Sequence, residues 1–593
     1  MAGANVTVGD APPAPEVTTR AGRMTDLMEP ILERHGRLAE WLLYLAVALA
    51  AWKVRFLEDD AFITYRFSRN LAQGRGLVFN PGEKVEGYTN FLWTVIHAIP
   101  EKLGWNTPAF SQVLGIVLIV ATTAVSLRFA RNVLGSATKG FLATMVLVAN
   151  MTFLAYATGG METMLQTLCI TGVAALLIPT ERPNPGLRQI GAGLLAGLAV
   201  LTRLDSTVLV AGWFLAIAWF TWRAAVPAER VKQTAVTALR LGVPVLLLVV
   251  PWLVWKSDFY GSLLPNTQKA KSAANPIVPF LYGIFYLFGF FMSYGGFLLI
   301  GRFRRHREAF FAQPAVRLAF VVVPLWFLYI CVVGADFMEY RFMVPILPVL
   351  ALLAGELIDH IRAPKRQTVL VVVLLGMSAF HRVAPNFVVP VLTFTELDHW
   401  PASSQTTWST MGKLLHREFP GELEDPKRPV TALAALGVIG YYSDLRTIDL
   451  VGLTDAYVAE HGEHPRYYYP GHVRIAPIDY LLRRDVSLVI GDPLIWQDDP
   501  EHIHSYRLSQ VSRLWPVVDL RKLPDTAKVL EIPLVEPVGG QGGWNWLMIY
   551  LQPNAQVDAA IARNHWRVVP IERTCSDADM DLPMRIAGTK SCG

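Results

Sequence analysis

Residues 41–60 read WLLYLAVALAAWKVRFLEDD, an apolar run from Trp41 to Val54 followed closely by the acids Glu58, Asp59 and Asp60. With its flanking residues, as the span 40–56, this run approaches the length at which a helix crosses ~30 Å of hydrocarbon. Carboxylates placed where such a helix leaves the membrane are either a solvated helix end or part of a polar site. The rest of the chain is needed to choose between these two interpretations.

Apolar runs of this kind recur until about Phe380 and then stop. With 53% hydrophobic residues and a mean hydropathy of +0.35, the chain of 593 residues is too apolar for a soluble protein. We predict a multi-pass α-helical membrane protein with about eleven transmembrane helices. The predicted spans are 40–56, 109–131, 140–158, 161–179, 189–202, 206–222, 240–257, 279–300, 316–334, 342–359 and 367–385.

The composition divides the chain into three parts. Residues 1–38 are predicted to be a cytoplasmic N-terminal segment that begins with a disordered stretch, and residues 39–385 a membrane domain. After Pro385 the charged residues, Pro, Asp and His return, and short apolar runs alternate with helical patterns. We therefore predict a C-terminal extracytoplasmic α/β domain over residues 386–593. Its predicted elements are a helix at Ser404–Phe419 and strands at Val430–Leu436, Thr447–Leu453, Ser487–Gly491, Ala527–Leu534 and Trp544–Leu551.

Basic residues assign each loop to one side of the membrane. Arginines and lysines gather before the first predicted span and after the second, fourth, sixth, eighth and tenth, so every second loop is basic. This alternation predicts a cytoplasmic N-terminus and an external tail. It also explains the net charge of +5, which comes without a basic block of the nucleic-acid-binding kind. The remaining loops, which include the long first outer loop at residues 57–108, are rich in acids, Asn, Tyr and Gly.

The four cysteines give little functional information. Cys169 and Cys331 lie inside apolar runs and are expected to be buried small side chains. Cys575 and Cys592 both lie in the tail, where an external location would permit a disulfide. A lone His97 without His or Cys neighbours at ligand spacing is not a metal site.

The first outer loop carries the strongest chemical pattern. Adjacent carboxylates at Asp59 and Asp60 could act in acid–base chemistry or bind a cation, and their mutual repulsion favours a raised pKa unless a positive group neutralises them. The other outer loops supply arginines, lysines and further acids at the same membrane face. Basic groups beside a carboxylate suit transfer from a lipid-linked phosphate, because they hold the phosphate while the carboxylate takes a proton from the acceptor hydroxyl.

The segment DDAFITYRFSRNLAQGRGLVFNPGEKVEGYTNFLW, from Asp59 to Trp93, resembles the mycobacterial terminal arabinofuranosyltransferases of the GT-C superfamily. The resemblance continues more loosely through GGMET at 159–163, TRLD at 202–205, YGSLLPNT at 260–267 and GADFMEYRFMVPILP at 334–348, and in the tail through GVIGYYSDLRTIDLVGLTD at 437–455. It implies the GT-C fold, a polyprenyl-phosphate sugar donor and a cell-envelope glycan acceptor. The implied reaction moves an arabinofuranose from decaprenyl-phosphoryl-arabinose onto the arabinan of arabinogalactan or lipoarabinomannan.

The resemblance places the catalytic carboxylate at Asp59, with Asp60 supporting it or holding the acceptor. The outer loops add phosphate-binding candidates, each of which could equally be an interfacial anchor: Arg203, Lys269 and Arg341. They also add candidates for contacts with sugar hydroxyls or other parts of the substrates: Arg66, Glu86, Tyr88, Asn90, Glu162, Asp205, Asn266 and Asp336. We expect no required cofactor, although a divalent cation could sit at Asp59 and Asp60.

Three alternatives remain open at this stage. A GT-C transferase could use another polyprenyl-phosphate sugar, such as mannose, on a glycan or a protein. A lipid or glycan transporter would show mid-span charges or internal repeats, and the chain shows neither. A non-catalytic glycan-binding scaffold would tolerate loss of both aspartates. Retention and inversion at the sugar also remain open: inversion needs only a base, whereas retention needs a nucleophile or a front-face reaction.

Overall fold

The structure is a computed structural model that describes residues 24–178, 185–272, 275–312, 314–361, 363–381, 391–394, 408–464, 470–497, 504–507, 522–533 and 544–572. The predicted disorder of the first residues and the predicted Cys575–Cys592 disulfide lie outside these ranges. The other two cysteines are buried and free, as expected. The model confirms a helical membrane part followed by an α/β tail.

The membrane part consists of sixteen α-helices within the described ranges. In chain order they are α1 Met24–Lys53, α2 Asp59–Ala72, α3 Phe91–Leu103, α4 Thr107–Leu134, α5 Ala137–Val148, α6 Met151–Ala155, α7 Thr163–Leu177, α8 Pro185–Thr202, α9 Ser206–Ala224, α10 Arg230–Tyr260, α11 Asn266–Ala270, α12 Ile277–Ser293, α13 Phe297–Phe310, α14 Pro314–Val333, α15 Leu347–Asp359 and α16 Pro364–Phe380. Short 3₁₀ helices precede α10, at Pro227–Glu229, and α15, at Arg341–Ile346.

A helix occupies each of the eleven predicted spans. Among the described residues, five helical segments are long and apolar enough by themselves to cross a bilayer, and the bent pair α12–α13 would be a sixth. The segments are Thr107–Leu134, Ser206–Ala224, Pro227–Tyr260, Ala315–Val333 and Arg341–Asp359. Other predicted spans hold helices such as α5 and α7, which have 12 and 15 residues. The protein is thus embedded in a membrane, while the count of eleven stays a prediction.

Two predicted spans are broken rather than continuous. The predicted span 140–158 ends at Val148, and a short helix restarts after Asn150, whose Oδ1 accepts from the amide of Phe153 at 3.0 Å. The hydroxyl of Ser378 on α16 satisfies this break, because it accepts from the Met151 amide and donates to the Ala149 carbonyl. The predicted span 279–300 turns by 90° between α12 and α13, at Gly295 with φ of +71°. Both boundaries correct the prediction.

The described tail contains five helices and one sheet. The helices are α17 Trp408–Glu418, α18 Gly437–Ser443, α19 Ala456–His461, α20 Ile478–Arg483 and α21 Ala555–Asn564; the strands are β1 Val430–Leu433, β2 Thr447–Asp449, β3 Val486–Gln497, β4 Tyr506–Arg507, β5 Lys528–Pro533, β6 Trp544–Tyr550 and β7 Arg567–Glu572. The strand order is β2-β1-β3-β6-β5-β7-β4. Strand β1 runs parallel to β2 and β3, and β6 runs antiparallel to β3 and β5.

All five predicted tail strands and the predicted helix are confirmed, with shifted ends. The second strand stops at Asp449, four residues early. The carboxylate of this buried residue accepts from the amides of Val451, Gly452 and Thr454, which turns the chain back on itself. The resulting loop carries Leu453 towards the membrane part.

The tail sits directly on the first outer loop, with α18 packed on α2. Arg66 of α2 is 1% exposed and donates to the tail carbonyls of Gly440, at 2.5 Å, and Leu445, at 2.7 Å. The side chain of Asn80 donates to the Thr447 carbonyl and accepts from its amide. Buried bonds of this kind lock the two parts together, since breaking one leaves a buried polar group unpaired.

Candidate functional site

A cavity of about 740 Å³ lies between the tail and the ends of the membrane helices. The tail contributes Leu453 and Gly471, and α2 contributes Asp60, Ile63 and Thr64. Most of the remaining wall comes from the predicted outer loops, with further residues at the ends of α9, α12 and α14, so these loops meet at one cavity. Eight predicted site residues line the cavity: Asp60, Tyr88, Asn90, Glu162, Arg203, Asp205, Asp336 and Arg341.

The two aspartates of the motif have different surroundings. Asp59 is 8% exposed; its Oδ1 accepts from the amide of Val438 at 2.7 Å, and its Oδ2 accepts from the amide of Gly437 at 2.9 Å. These amides belong to the first turn of α18, where unpaired N–H groups attract an anion. Asp59 is not among the residues that line the cavity, and its assignment as the catalytic carboxylate stays a prediction.

Asp60 faces the cavity because it is the next residue on α2, about 100° around the helix from Asp59. Its side chain is half-buried, and its carboxylate makes no hydrogen bond or ion pair with any residue in the described ranges. Glu58, which precedes both aspartates, is 4% exposed. Burial raises the pKa of Glu58 well above its usual range, and the negative charges of Asp60 and Asp59 add to this effect. The free, accessible carboxylate of the acidic trio is therefore that of Asp60.

Arg203 holds one wall of the cavity through two carboxylates. Its Nη1 donates to Glu162 at 2.6 Å, and its Nη2 donates to Asp205 at 2.6 Å. Glu162 also accepts from Asn90 at 2.7 Å, and Asp205 accepts from Gln166 at 2.8 Å. Buried charges are stable when they are paired and hydrogen-bonded in this way. The network brings together residues from three segments that are far apart in sequence.

A second ion pair forms the floor of the cavity. The Nε of Arg341 lies 2.5 Å from the Oδ2 of Asp336, and both side chains are less than a tenth exposed. The connecting loop has two non-glycine residues in the left-handed region, Ala335 with φ of 60° and Tyr340 with φ of 47°. Backbone strain of this kind is common where a loop holds functional side chains in place.

Lys271 is a cavity residue that the sequence analysis did not select. It lies just after α11 and lines the cavity, and its ammonium has no hydrogen bond or ion pair among the residues the structure describes. The Lys271 side chain is exposed towards the cavity space; desolvation by the surrounding protein lowers the pKa of Lys271 from its usual value, and the carboxylate of Asp60 opposes this shift. The cavity thus contains one unpaired acid and one unpaired base within the described ranges, Asp60 and Lys271.

Lys269, the predicted phosphate ligand two residues earlier, points elsewhere. Its Nζ lies 2.5 Å from Glu460 of α19, and both side chains are about half exposed. Its helix neighbour Asn266 donates to the tail carbonyls of Gly452 and Leu453 at 2.8 and 3.1 Å. Both residues connect α11 to the tail, so the structure does not place either one in the cavity. The sequence holds no signal that separates Lys269 from Lys271, because the two differ only in their tertiary contacts.

Two more predicted site residues have structural partners outside the cavity. Arg66 binds the tail carbonyls described above. Glu86 forms a buried ion pair with Lys256 of α10 at 2.8 Å, and burial raises the pKa of Glu86 to about 7 against the opposing effect of that lysine. Their neighbours Tyr88 and Asn90 do reach the cavity. Polar residues in a long loop can dock domains as readily as bind substrate, and the sequence does not distinguish these roles.

One side of the cavity is lined by apolar side chains. Val332 and Val333 at the end of α14 line it, together with Leu264, Pro276 and Pro279. Val332 is 62% exposed and Leu264 is 55% exposed. In a membrane protein, exposed apolar side chains at such an edge contact lipid. A ligand with a polar head and a hydrocarbon chain would therefore fit here, with the head beside Asp60 and Lys271.

The carboxylates of the cavity are candidate ligands for a metal ion. Within the described ranges, no group of three or more His, Cys, Asp or Glu side chains is arranged to hold a metal ion. Three of the cavity carboxylates, those of Glu162, Asp205 and Asp336, are paired with arginines. Asp59, the partner acid in the predicted cation site, is turned towards α18. The described donors therefore do not fit a cation held by Asp59 and Asp60 together.

The chain is similar in sequence to proteins from two bacterial genera, Mycobacterium and Corynebacterium. The chain is 29% identical over 263 residues to the terminal beta-(1->2)-arabinofuranosyltransferase of Mycobacterium tuberculosis, a match that covers 40% of this chain and 39% of that protein. It is 24% identical over 351 residues to the protein of the same name from Corynebacterium glutamicum, covering 51% of this chain and 48% of that one. The chain thus spans less than half the length of each curated relative. Residues 397–537 match a family described as a domain of unknown function (DUF8728).

Among solved structures, the fold resembles that of ArnT from Cupriavidus metallidurans bound to undecaprenyl phosphate. The TM-score is 0.54 at 16% identity, and the match covers 87% of this chain and 98% of ArnT. At this identity the likeness establishes the fold alone. The chain therefore has the GT-C fold with a C-terminal α/β domain, and it resembles the terminal arabinofuranosyltransferases of mycobacteria and corynebacteria.

Proposed function

We propose that this protein is a membrane glycosyltransferase that moves an arabinofuranose from a polyprenyl-phosphate donor onto a cell-envelope arabinan. The observation that supports it best is the cavity itself, in which the unpaired Asp60 and Lys271 lie beside a side lined by apolar side chains. A lipid-linked phosphate needs both a cationic site and an apolar edge. The names of the two relatives supply the sugar, an arabinofuranose.

We propose Asp60, rather than Asp59, as the reacting carboxylate. It would take the proton from the acceptor hydroxyl as the new glycosidic bond forms, because a general base must have a free oxygen within reach of that hydroxyl. Lys271 and Arg341 would hold the phosphate and neutralise the charge that develops on it as the sugar leaves. Arg203 would contribute less to the phosphate, since Glu162 and Asp205 already neutralise it.

Both stereochemical courses, inversion and retention, are compatible with Asp60 as the reacting carboxylate. In an inverting transfer, Asp60 acts as the base for one in-line displacement. A retaining transfer would require Asp60 to attack the sugar as a nucleophile or the reaction to run on one face. The other cavity carboxylates are paired with arginines, which lowers their nucleophilicity, so Asp60 is our candidate in the double-displacement case as well. The anomeric configuration of product from a donor of known configuration separates these routes.

The proposed orientation places the cavity and tail outside the plasma membrane. It rests on the alternation of loops along the chain, because the cavity is built from the loops that alternate with the strongly basic ones. The polyprenyl donor would enter sideways from the bilayer past Val332 and Leu264. The glycan acceptor would approach from the tail side, near Leu453 and Gly471.

The direct test uses the purified full-length chain with synthetic polyprenyl-phosphoarabinose and an arabinan acceptor. Formation of a lengthened arabinan would support the proposal. Transfer from a polyprenyl-phosphomannose but not from the arabinose donor would keep the reaction class and replace the sugar. Absence of transfer from either donor, with donor binding retained, would favour a transporter or a scaffold.

Lys271 and Lys269 form a matched pair for the phosphate assignment. We expect Lys271→Met to raise KM for the donor about 10- to 100-fold, since a charge-assisted contact is worth roughly 1.5–3 kcal/mol. Lys269→Met removes the same charge two residues away and leaves KM nearly unchanged, because that lysine makes an exposed ion pair with Glu460. Initial rates over a donor series measure both. Equal effects from the two variants would contradict the assignment.

We propose further that transfer needs no metal ion. The expected result is that dialysis against a chelator leaves the initial rate unchanged within about twofold, because Lys271 and Arg341 supply the positive charge that a cation would otherwise provide. A rate that collapses in chelator and returns with added Mg²⁺ or Mn²⁺ would overturn this proposal. The assay needs no variant and can be run on the wild-type enzyme alone.

A further inference from the structure

A second cavity of about 380 Å³ lies inside the membrane part, walled by α12, α13, α14, α15, α5 and α16. Its lining is almost entirely aliphatic and aromatic, including Ile300, Phe303, Val323 and Phe327. The few polar groups at one end already have partners: the Tyr294 hydroxyl bonds to Thr152, and the Ser378 hydroxyl to the Ala149 carbonyl. The space, called here the lipid slot, therefore offers hydrocarbon contacts.

The lipid slot is separate from the catalytic cavity. Phe320, Val323 and Phe327 on one face of α14 line the slot, whereas Tyr329 and Val332 on the other face line the catalytic cavity. No described residue lines both spaces. A donor whose phosphate lies beside Lys271 would therefore lead its chain past the outer end of α14, on the far side of that helix from the slot.

The depth of the slot matches one leaflet. Along α15 it runs from Leu347 to Leu357, and ten residues of helix extend about 15 Å. This is half of the ~30 Å hydrocarbon thickness of a bilayer. Since α15 begins at the catalytic cavity and ends at Asp359, the slot runs away from that cavity to the opposite membrane face. A single acyl chain entering from that face would fill it.

Basic residues lie on the helix that lines the end of the slot away from the catalytic cavity. Helix α13, which contributes Leu299, Ile300, Phe303 and Phe310 to the slot wall, also carries four arginines: Arg302, Arg304, Arg305 and Arg307. The ring of His306, among them, lies 5.5 Å from that of His360, just beyond the end of α15. None of the four guanidiniums forms an ion pair with a described residue, and the exposed Glu308 is the one acid on the same helix.

We propose that the lipid slot binds one acyl chain of an anionic phospholipid, whose phosphate group is held by the arginines of α13. The apolar wall and the basic residues lie on the same helix, so one lipid can satisfy both. Unpaired guanidiniums favour phosphate oxygens, and each basic residue at a membrane surface strengthens attraction to anionic lipid. In the proposed topology this lipid belongs to the cytoplasmic leaflet. The site is independent of the transfer reaction.

The test measures lipid retained by the purified full-length protein in native mass spectrometry. The protein is exposed to equal amounts of phosphatidylglycerol and phosphatidylcholine with identical acyl chains. We expect about tenfold preferential retention of phosphatidylglycerol, since several arginines contribute. In the triple variant Arg304→Gln, Arg305→Gln, Arg307→Gln the preference should fall to near one.

Two further variants make the outcome decisive. A charge-matched control on other loops of the same face, Arg34→Gln, Arg223→Gln, Lys232→Gln, should keep the preference. Filling the slot with Ala354→Phe should abolish retention of phosphatidylglycerol even though the arginines remain. Equal retention of both lipids by the wild type, or an unchanged preference in the α13 variant, would overturn the proposal. So would displacement of phosphatidylglycerol by a polyprenyl phosphate in the wild type, since the slot would then belong to the donor.

Discussion

Replacing Asp60 by asparagine should lower the rate of arabinose transfer about 1,000-fold or more without reducing donor binding. Asparagine keeps the size of the side chain but can neither take a proton nor attack the sugar, and general-base catalysis alone contributes about 10²–10⁴-fold. Asp60 makes no hydrogen bond or ion pair with any described residue, so little structural change is expected. Single-turnover rates with a saturating donor measure the chemical step.

The control for this prediction is the binding of the donor phosphate, measured separately by titration with a polyprenyl phosphate. Its Kd should change little or become tighter, because Asp60 places a negative charge near Lys271. A variant that still transfers arabinose within tenfold of the wild type would contradict the assignment of Asp60. Loss of both binding and transfer would point to a collapsed cavity instead.

Replacing Asp59 by alanine should lower transfer about 100-fold for a different reason, namely that the tail is released from α2. Each of its two hydrogen bonds to α18 is charge-assisted and buried, and such bonds are worth roughly 1.5–3 kcal/mol each. Asp59→Asn keeps one oxygen acceptor and should fall between alanine and the wild type. Hydrogen exchange at the amides of Gly437 and Val438 should rise in the same order.

Gly437 gives a test of the same contact from the tail side. A Cβ at this position would lie 1.8 Å from the backbone oxygen of Asp59, so Gly437→Ala must push α18 away from α2. We expect it to reproduce the loss of transfer although both acids are intact. Gly242→Ala, where a Cβ meets nothing within 4 Å, serves as the control. If Asp59→Asn were as inactive as Asp60→Asn while exchange in α18 stayed at the wild-type level, Asp59 would itself be the reacting group.

The different contacts of Asp59 and Asp60 give a reason for two adjacent acids in the sequence. Asp59 binds the first turn of α18, while Asp60 faces the substrate cavity one residue further along α2. Docking of the tail thereby sets the rotation of α2 and the position of the Asp60 carboxylate. Under the proposed function, the α/β tail is therefore part of the catalytic site, in addition to any role in holding the glycan.

Most of the architecture could be predicted from the residues alone. Long apolar runs predict membrane helices because a buried backbone in lipid must satisfy its own hydrogen bonds, and alternating runs after Pro385 predict strands. The breaks at Asn150 and Gly295 were missed, because Ser378 satisfies the first break from another helix and a composition window does not detect such a contact.

The candidate site was predicted in part. Residues placed at the membrane face by the loop pattern, such as Glu162, Arg203 and Arg341, do meet in one cavity. Lys269 and Asn266 do not, because the tail, almost 200 residues further along the chain, provides them with closer partners. Lys271 was passed over because two lysines in one short segment are equivalent in sequence and differ only in what lies opposite each.

The sequence by itself determined that an acidic pair follows the first membrane helix and lies at the same face as the other polar loops. It also determined that the two acids point about 100° apart, since this angle is a property of any α-helix. Only the tertiary structure decided which of them is free. The rotation of α2 depends on the surface packed against it, and that surface is α18, whose amides lie 378 and 379 residues away from Asp59 in the chain.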